Sequence, residues 1–222
     1  QLKPMDHLVE IGSGWGGFAI YAAQHYGCKV TTITISKAQY DEALARVAEA
    51  GLSHRVSVQL QDYRLLEGKY DKLVSIEMIE AVGEQYLPTY FRKCRELLKP
   101  NGLALIQAIT IEDARYVKAL NTVDYIKRYI FPGSFIPCIS VMTQTASEQK
   151  LRLKHLEDIG QSYAQTLHCW RQRFLEQRDQ VLQLGFDERF IRMWDFYLCY
   201  CEGGFREGVI SDVHLLFEAS AY

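Results

Sequence analysis

Leu8-Val9-Glu10-Ile11-Gly12-Ser13-Gly14-Trp15-Gly16-Gly17-Phe18 is the stretch that decides the fold. An apolar run carrying one acidic residue ends in a turn with four glycines, and a helical pattern, Phe18-Ala19-Ile20-Tyr21-Ala22-Ala23, follows at once. Strand, glycine-rich turn and helix in that order place a ligand site at the carboxyl end of a first strand, where open α/β sheets bind nucleotides. Glycine lets the backbone take positive φ there and come close to a ligand where a Cβ would collide. The spacing is not that of a dinucleotide or phosphate site. Gly12-Ser13-Gly14-Trp15-Gly16-Gly17 has the G-x-G but neither the later spacing to a third glycine nor the Lys-Ser/Thr pair of a P-loop.

A nucleoside without phosphates suits such a turn, with Glu10 just before it as a carboxylate near the ligand's cationic end. S-adenosylmethionine is such a ligand. The plain alternative is an ordinary tight βα turn with Glu10 in solvent. Outward from the turn, residues 29–35 are β-branched nearly throughout and read as a second buried strand. Ser36 caps a helix over 37–50 that ends at Gly51. Residues 55–60 make a third strand and 70–76 a fourth. A helix over 84–98 is halted by Lys99-Pro100-Asn101-Gly102, and 102–109 is the fifth strand. Strands alternating with helices at this spacing mean a parallel, doubly wound sheet.

The pattern then changes. Residues 112–146 carry Tyr116, Tyr125, Tyr129, Phe131 and Phe135 with Pro132, Gly133 and Pro137, and have no single period. They read as a partly helical insertion over the carboxyl edge of the sheet, where a substrate lid lies. Residues 150–157 alternate as a strand, 163–184 and 187–203 make two long helices, and 213–219 close as an edge strand. The sum is an α/β, Rossmann-like sheet of seven strands, matching that of S-adenosylmethionine-dependent methyltransferases, with a helical, aromatic insertion after strand five.

At 222 residues, 48% apolar and 23% charged, the chain is long enough for one sizeable core, so a single domain over 1–222 is expected. Twenty-five basic residues against 27 acidic ones give a net charge of −2, which writes no broad attraction to nucleic acid into the total. The six cysteines include no C-x-x-C pair and no His at zinc-finger spacing, so they read as reduced thiols of a cytoplasmic protein, with no metal. Cys138, Cys199 and Cys201 read as buried thiols. His7, His25, His54, His155, His168 and His214 are scattered without ligand spacing and receive no role. No run approaches the roughly 20 apolar residues of a membrane span, and residues 1–222 are read as carrying no signal peptide. The chain opens at Gln1, a few residues before the first strand, and so reads as an excised domain whose upstream segment is missing.

Strand ends converge on the ligand in this fold, so position along the chain assigns roles. Gly12, Ser13, Gly14, Gly16 and Gly17 form the cradle beside Glu10. After strand two, where an acidic residue commonly holds the ribose, stand Thr34-Ile35-Ser36 and Gln39, which suggests that backbone groups, the Thr34 hydroxyl and the Gln39 amide do the holding. Gln61-Asp62-Tyr63 after strand three meets the adenine, with a turn or helix-cap role for Asp62 as the alternative. Ser75-Ile76-Glu77-Met78 after strand four faces the methionine portion, Ile76 foremost.

The chain also carries, in order, Ile11-Gly12-Ser13-Gly14-Trp15-Gly16-Gly17, Thr32-Ile33-Thr34-Ile35-Ser36-Lys37-Ala38-Gln39, Gln61-Asp62-Tyr63-Arg64, Glu80-Ala81-Val82-Gly83, Tyr90-Phe91, Lys127-Arg128-Tyr129-Ile130-Phe131-Pro132-Gly133, Tyr197-Leu198 and Gly204-Phe205-Arg206. In these runs it resembles the catalytic domain of cyclopropane-fatty-acyl-phospholipid synthases and mycolic-acid cyclopropane synthases. The runs extend over nearly the whole chain in family order. The resemblance implies methyl transfer from S-adenosylmethionine to a cis double bond of an unsaturated acyl lipid, a phospholipid by the family name, leaving S-adenosylhomocysteine. It implies peripheral contact with the inner face of the membrane, with 112–147 and parts of 163–205 as the lipid cover. An alkene needs no base to activate it. The carbocation that follows is stabilised by aromatic faces and loses a proton to a nearby base, in the family a bicarbonate ion whose surroundings resemble Glu80, Ile109 and Tyr197. Two positions depart from the pattern: the bicarbonate-binding His is Gln107 here, and the His after the active-site Glu is Ala81. A methyl-branched or methylene product, and a relative that binds without catalysis, are the other readings the resemblance leaves open. The sequence does not fix the oligomeric state.

Overall fold

The alternation of β-branched runs with amphipathic ones is realised in the computed structural model, which describes residues 2–220. Among the described residues seven strands form one sheet: β1 (His7–Ile11), β2 (Lys29–Thr34), β3 (Val56–Leu60), β4 (Tyr70–Ile76), β5 (Leu98–Ile111), β6 (Leu151–Asp158) and β7 (Ile210–Ala219), in the order β3-β2-β1-β4-β5-β7-β6. The pairs β1–β2, β1–β4, β2–β3 and β4–β5 are parallel. Parallel neighbours need crossover connections. Helices α1 (Gly17–Tyr26), α2 (Lys37–Glu49) and α3 (Leu87–Leu97) supply them. The order turns back at β1, and that reversal opens a crevice at the carboxyl ends of β1 and β4. The seven-stranded α/β expectation is borne out.

The remaining helices are α4 (Asp113–Leu120), α5 (Ile139–Glu148), α6 (Gly160–Glu176), α7 (Arg178–Gln183) and α8 (Glu188–Arg206), with a π-helical turn at Ile126–Ile130. The chain divides into two compact units: Gln1–Ala108 with Ser140–Leu156 and His214–Tyr222, and Ile109–Ile139 with Glu157–Val213. Residues 1, 221 and 222 of the domain expected over 1–222 lie outside the described residues.

In the first unit Leu8, Val30, Val56, Val58 and Val74 pack against Ala19, Ala22 and Ala23 of α1 and Ala43 and Val47 of α2. Alanines on the helices let their backbones lie close to a sheet whose bulk is β-branched. On α3 the buried set Tyr90, Phe91, Cys94 and Leu97 follows helical spacing, and the Phe91 ring meets Phe217 edge-on at 5.9 Å. In the second unit Ala164 and Leu167 of α6 pack with Leu198 and Phe205 of α8, and Ile109, Tyr163, Phe174, Trp194 and Tyr197 close around them.

Three local expectations need correction. The helix over 163–184 starts three residues earlier, at Gly160, and breaks at Gln177, whose N–H is shared between the Arg173 and Phe174 carbonyls. The run Glu176-Gln177-Arg178-Asp179-Gln180 is polar on every side, so no buried stripe holds the helix straight across it. The fifth strand begins at Leu98, not Gly102: Tyr70 pairs with Leu98 and Lys72 with Leu103, and the residues between Leu98 and Leu103 bulge out of the ladder. Cys138 is buried and Cys201 half-buried, but Cys199 is exposed, because α8 turns it away from the buried Leu198.

Candidate active site

The glycine turn is strung on left-handed residues: φ is 97° at Gly12, 48° at Gly14 and 82° at Gly16. The N–H groups of Gly12 and Ser13 both donate to Ile33 O, at 3.1 and 2.8 Å, which fastens the turn to the end of β2. The glycines then divide the work. A Cβ on Gly14 would meet no protein atom within 4 Å, so the backbone there faces open space. One on Gly16 would stand 3.2 Å from the Ala43 Cα, so that glycine serves the approach of α1 to α2. Gly17 opens α1, and the buried Ser13 hydroxyl turns back onto Gly14 O at 3.0 Å.

A cavity of about 390 Å³ lies at the strand ends of the first unit. Of the residues assigned to the cofactor, Gly12, Thr34, Ile35, Gln39, Gln61, Asp62 and Tyr63 line it. Glu10, Ser13, Gly14, Gly16, Gly17 and Ile76 are not among its lining. Thr34 Oγ1 donates to Gln39 Oε1 at 2.8 Å and accepts from Ser36 N at 3.1 Å. This fixes the Gln39 amide with its NH2 end pointing away from Thr34. Gln61 Nε2 is committed to Leu65 O at 2.9 Å. Asp62 caps the short helical turn Tyr63–Leu65 through Arg64 N at 2.9 Å and takes Arg64 Nη2 at 2.6 Å, so the turn role and the lining role coincide in one residue. Those side-chain hydrogen bonds from Arg64 hold the Asp62 carboxyl below its ordinary range.

Met78, read as facing the methionine portion, lines the cavity too, as do Arg64, Val82 and Tyr86, to which the sequence reading gave no ligand role. The signal that finds them is the strand-end rule carried a few residues further past β3 and β4.

Glu10 is not in solvent. It is 2% exposed, and Thr32 Oγ1 donates to its Oε2 at 2.6 Å. Burial pushes its carboxyl up to about 8, with the Thr32 hydroxyl opposing that shift. The alternative of a solvated Glu10 is therefore excluded.

The residues assigned to proton removal fall in both units. Glu80 sits half-buried on the helical turn Ile79–Ala81 after β4, and Gln107 stands on β5 opposite Ile76, both in the first unit. Ile109 and Tyr197 belong to the second, where both pack on the α6–α8 cluster and the Tyr197 ring lies 5.1 Å from Trp194 and 6.1 Å from Phe131. His214, given no role from sequence, lies with its Nε2 3.1 Å from Gln107 Oε1. No group of three or more His, Cys, Asp or Glu side chains able to hold a metal ion occurs among the described residues.

A family profile described as Mycolic acid cyclopropane synthetase matches residues 1–215. The chain belongs to that family. It is 43% identical over 206 residues to the tuberculostearic acid methyltransferase UfaA1 of Mycobacterium tuberculosis, covering 92% of this chain and 48% of that protein. It is 37% identical over 206 residues to the cyclopropane-fatty-acyl-phospholipid synthase of Escherichia coli strain K12, covering 93% and 51%. The chain thus spans about half the length of these curated relatives. Among solved structures, mycolic acid cyclopropane synthase CmaA1 complexed with SAH and CTAB superimposes with a TM-score of 0.89 at 25% identity, over 98% of this chain and 79% of that one. Family and fold both agree with the resemblance read from the glycine turn outward.

Proposed function

We propose that the chain is the catalytic portion of an S-adenosylmethionine-dependent lipid methyltransferase that alkylates the cis double bond of an unsaturated fatty acyl chain, most simply in a phospholipid. The observation that carries the reading is the cavity at the strand ends, which Gly12 of the glycine turn lines. The lining suits a nucleoside: amide and hydroxyl groups from Thr34, Gln39 and Gln61, apolar walls from Ile11, Ile33, Ile35 and Met78, and the ring of Tyr63. The guanidinium among the lining residues, Arg64, is tied to Asp62. The cavity therefore offers that cation to no phosphate, which favours a phosphate-free nucleoside. When bound, S-adenosylmethionine supplies an electrophilic methyl group on a sulfonium. Gly12 to Gly17, Thr34, Gln39 and Asp62 hold it, and Ile35 and Tyr63 shield it from water.

The lipid side is assigned to the second unit. Phe186, just before α8, and Phe190, Trp194 and Tyr197 on it follow one another, with ring centroids 4.3, 5.6 and 5.1 Å apart in turn. Such an aromatic line presents apolar surface to an acyl tail and π-faces to a developing cation. Glu80, Gln107, Ile109 and Tyr197 are the proposed catalytic set, with Glu80 contributing charge on which proton removal depends.

A separate, exposed face of α8 supports peripheral attachment to the inner face of a membrane. Arg189, Arg192, Phe196 and Tyr200 are exposed at helical spacing. Tyr125 packs edge-on against Phe196 at 4.7 Å, and the Arg128 guanidinium lies 5.5 Å from the ring of exposed Tyr129. Aromatic rings with arginines at their margin suit the headgroup region of an anionic bilayer.

A second reading keeps cofactor and substrate but ends at a methylene or methyl-branched product, and Gln107 in the place of the family's His favours it. A saturated methyl branch requires two further electrons from a separate reductant, whereas a ring or a methylene group does not. Mass spectrometry of lipids from cells expressing the full-length protein tests the proposal. Acyl chains should gain the mass of one CH2, and fragmentation then separates ring from branch. An unchanged lipid profile would reject it.

A further inference from the structure

Gln107, the residue that departs from the family's motif, is held at both ends of its carboxamide. Its Nε2 donates to Glu77 Oε1 at 2.9 Å, and its Oε1 lies 3.1 Å from His214 Nε2. A carboxylate only accepts, so the amide nitrogen must be the end that faces Glu77. The amide oxygen then faces His214, and because that oxygen also only accepts, the imidazole must carry a hydrogen on Nε2. Amide orientation and histidine tautomer thus follow from the chemistry of one carboxylate. The three groups form a directed chain, imidazole to amide to carboxylate, half-buried and within the first unit.

The far end of the chain is conformationally special. Glu77 follows β4 with φ at 47°, a left-handed backbone that residues with a Cβ avoid. Its own N–H donates to Gln107 O at 3.0 Å, so one residue of β5 grips both the backbone and the side chain of Glu77. The next residue, Met78, lines the cofactor cavity. Strain of this kind persists where the surroundings over-determine it, which is characteristic of functional turns.

Family resemblance implies a bicarbonate ion held at the position of Gln107. The side chains here do not fit one. A bicarbonate taking a hydrogen bond from the Gln107 amide would compete with the Glu77 carboxylate, which already accepts from the same nitrogen, and the uncharged amide in place of the family's His offers no charge to offset a further anion.

We propose that in this chain the Glu77 carboxylate replaces the bound anion as acceptor of the proton lost by the alkylated acyl chain, with Gln107 and His214 as its positioning residues. The proposal rests on the lipid-alkylating function. The step balances: the π pair of the double bond forms the new C–C bond, and the pair of the broken C–S bond stays on sulfur. The transferred carbon then gives a proton to Glu77, and the C–H pair closes the ring or, after a hydride shift, forms a methylene group. The resulting carboxylic acid returns its proton to solvent.

The test uses the full-length protein, S-adenosylmethionine and vesicles of a monounsaturated phospholipid, in buffer stripped of carbon dioxide, with and without added bicarbonate. Turnover should agree within about twofold in the two buffers, and Glu77→Gln should lower kcat roughly 10²-fold with cofactor affinity retained. His214→Ala should lower kcat by about tenfold or more at unchanged KM, and His214→Gln, which keeps an N–H donor, should recover part of the loss. Independently of turnover, ¹⁵N spectra of labelled histidine should show His214 as the Nε2–H tautomer, with the preference lost in Gln107→Leu. A parental enzyme stimulated tenfold or more by bicarbonate, an active Glu77→Gln variant, or an Nδ1–H tautomer overturns the acceptor role alone. A parental protein that alkylates no vesicle lipid overturns the enzymatic function and the acceptor role with it.

Discussion

Glu10 shows how one side chain ties stability to pH. Its folded carboxyl titrates at about 8 against an ordinary 4.5, so the folded state favours the protonated form. The stabilisation is complete below the ordinary value and is lost as pH rises through about 8. Replacing Glu10 by Gln keeps an acceptor for the Thr32 hydroxyl and removes the titration. In urea melts the variant should gain on the parent between about pH 5 and pH 8.5, by on the order of a few kcal/mol at the upper end. A difference between the two that stays constant with pH would refute the buried protonated carboxyl. Gly14, four residues on in the turn, has its backbone turned to open space. Gly14→Val puts a branched side chain into that space, and calorimetry should show cofactor affinity lowered at least tenfold with the fold intact. Glu80→Gln removes charge while keeping shape: cofactor binding should survive and lipid turnover fall by roughly 10². Turnover at the parental rate would return Glu80 to a carboxylate at a helix start.

At the scale of elements, the bulge that opens β5 is tightly constrained backbone. A Cβ on Gly102 would stand 2.9 Å from Lys99 O and 3.2 Å from Asp71 O, both backbone atoms that cannot swing aside. Gly102→Ala should cost about 1–3 kcal/mol, the range for overpacking a well-filled site, read as a lowered denaturation midpoint with an unchanged m-value. The sequence carries Pro100-Asn101-Gly102 as turn chemistry, which is why the strand was expected to begin after it. Pairing of Leu98 with Tyr70 is a tertiary choice that no local pattern announces. The parallel half was legible because β-branched runs and glycine turns alternate within it. The break at Gln177 was not, since neither proline nor glycine marks it. Of the residues assigned to the cofactor from sequence, Thr34, Gln39, Gln61 and Asp62 line the cavity because they follow strand ends. His214 was missed because its partner Gln107 is 107 residues away in the chain and adjacent only in the folded sheet.

At the scale of the whole molecule, 25 basic and 27 acidic residues nearly cancel, so attraction to a charged surface has to come from a local patch. No helix among the described residues is long and apolar enough to cross a membrane. The exposed face of α8, with Arg189, Arg192, Phe196 and Tyr200, is the patch proposed to meet a bilayer surface. The protein should co-sediment with anionic vesicles more than with zwitterionic ones and release as salt rises. The double change Phe196→Ser with Tyr200→Ser should weaken binding by about tenfold or more, as two buried aromatic contacts are lost. Equal binding of parent and variant would remove this face from consideration. The chain spans about half the length of its curated relatives, so the same measurement on the longer protein reports whether the face remains accessible there.

Selection for heat tolerance would act perversely on Glu77. Glycine adopts φ near 47° without penalty, so a library screened only for folded protein should enrich Glu77→Gly or leave it neutral, provided the relief exceeds the lost bond to Gln107. The variants such a screen ranks as sound would then include ones stripped of the carboxylate that chemistry requires. Any stabilising campaign on this scaffold must score product formation alongside melting temperature at this position.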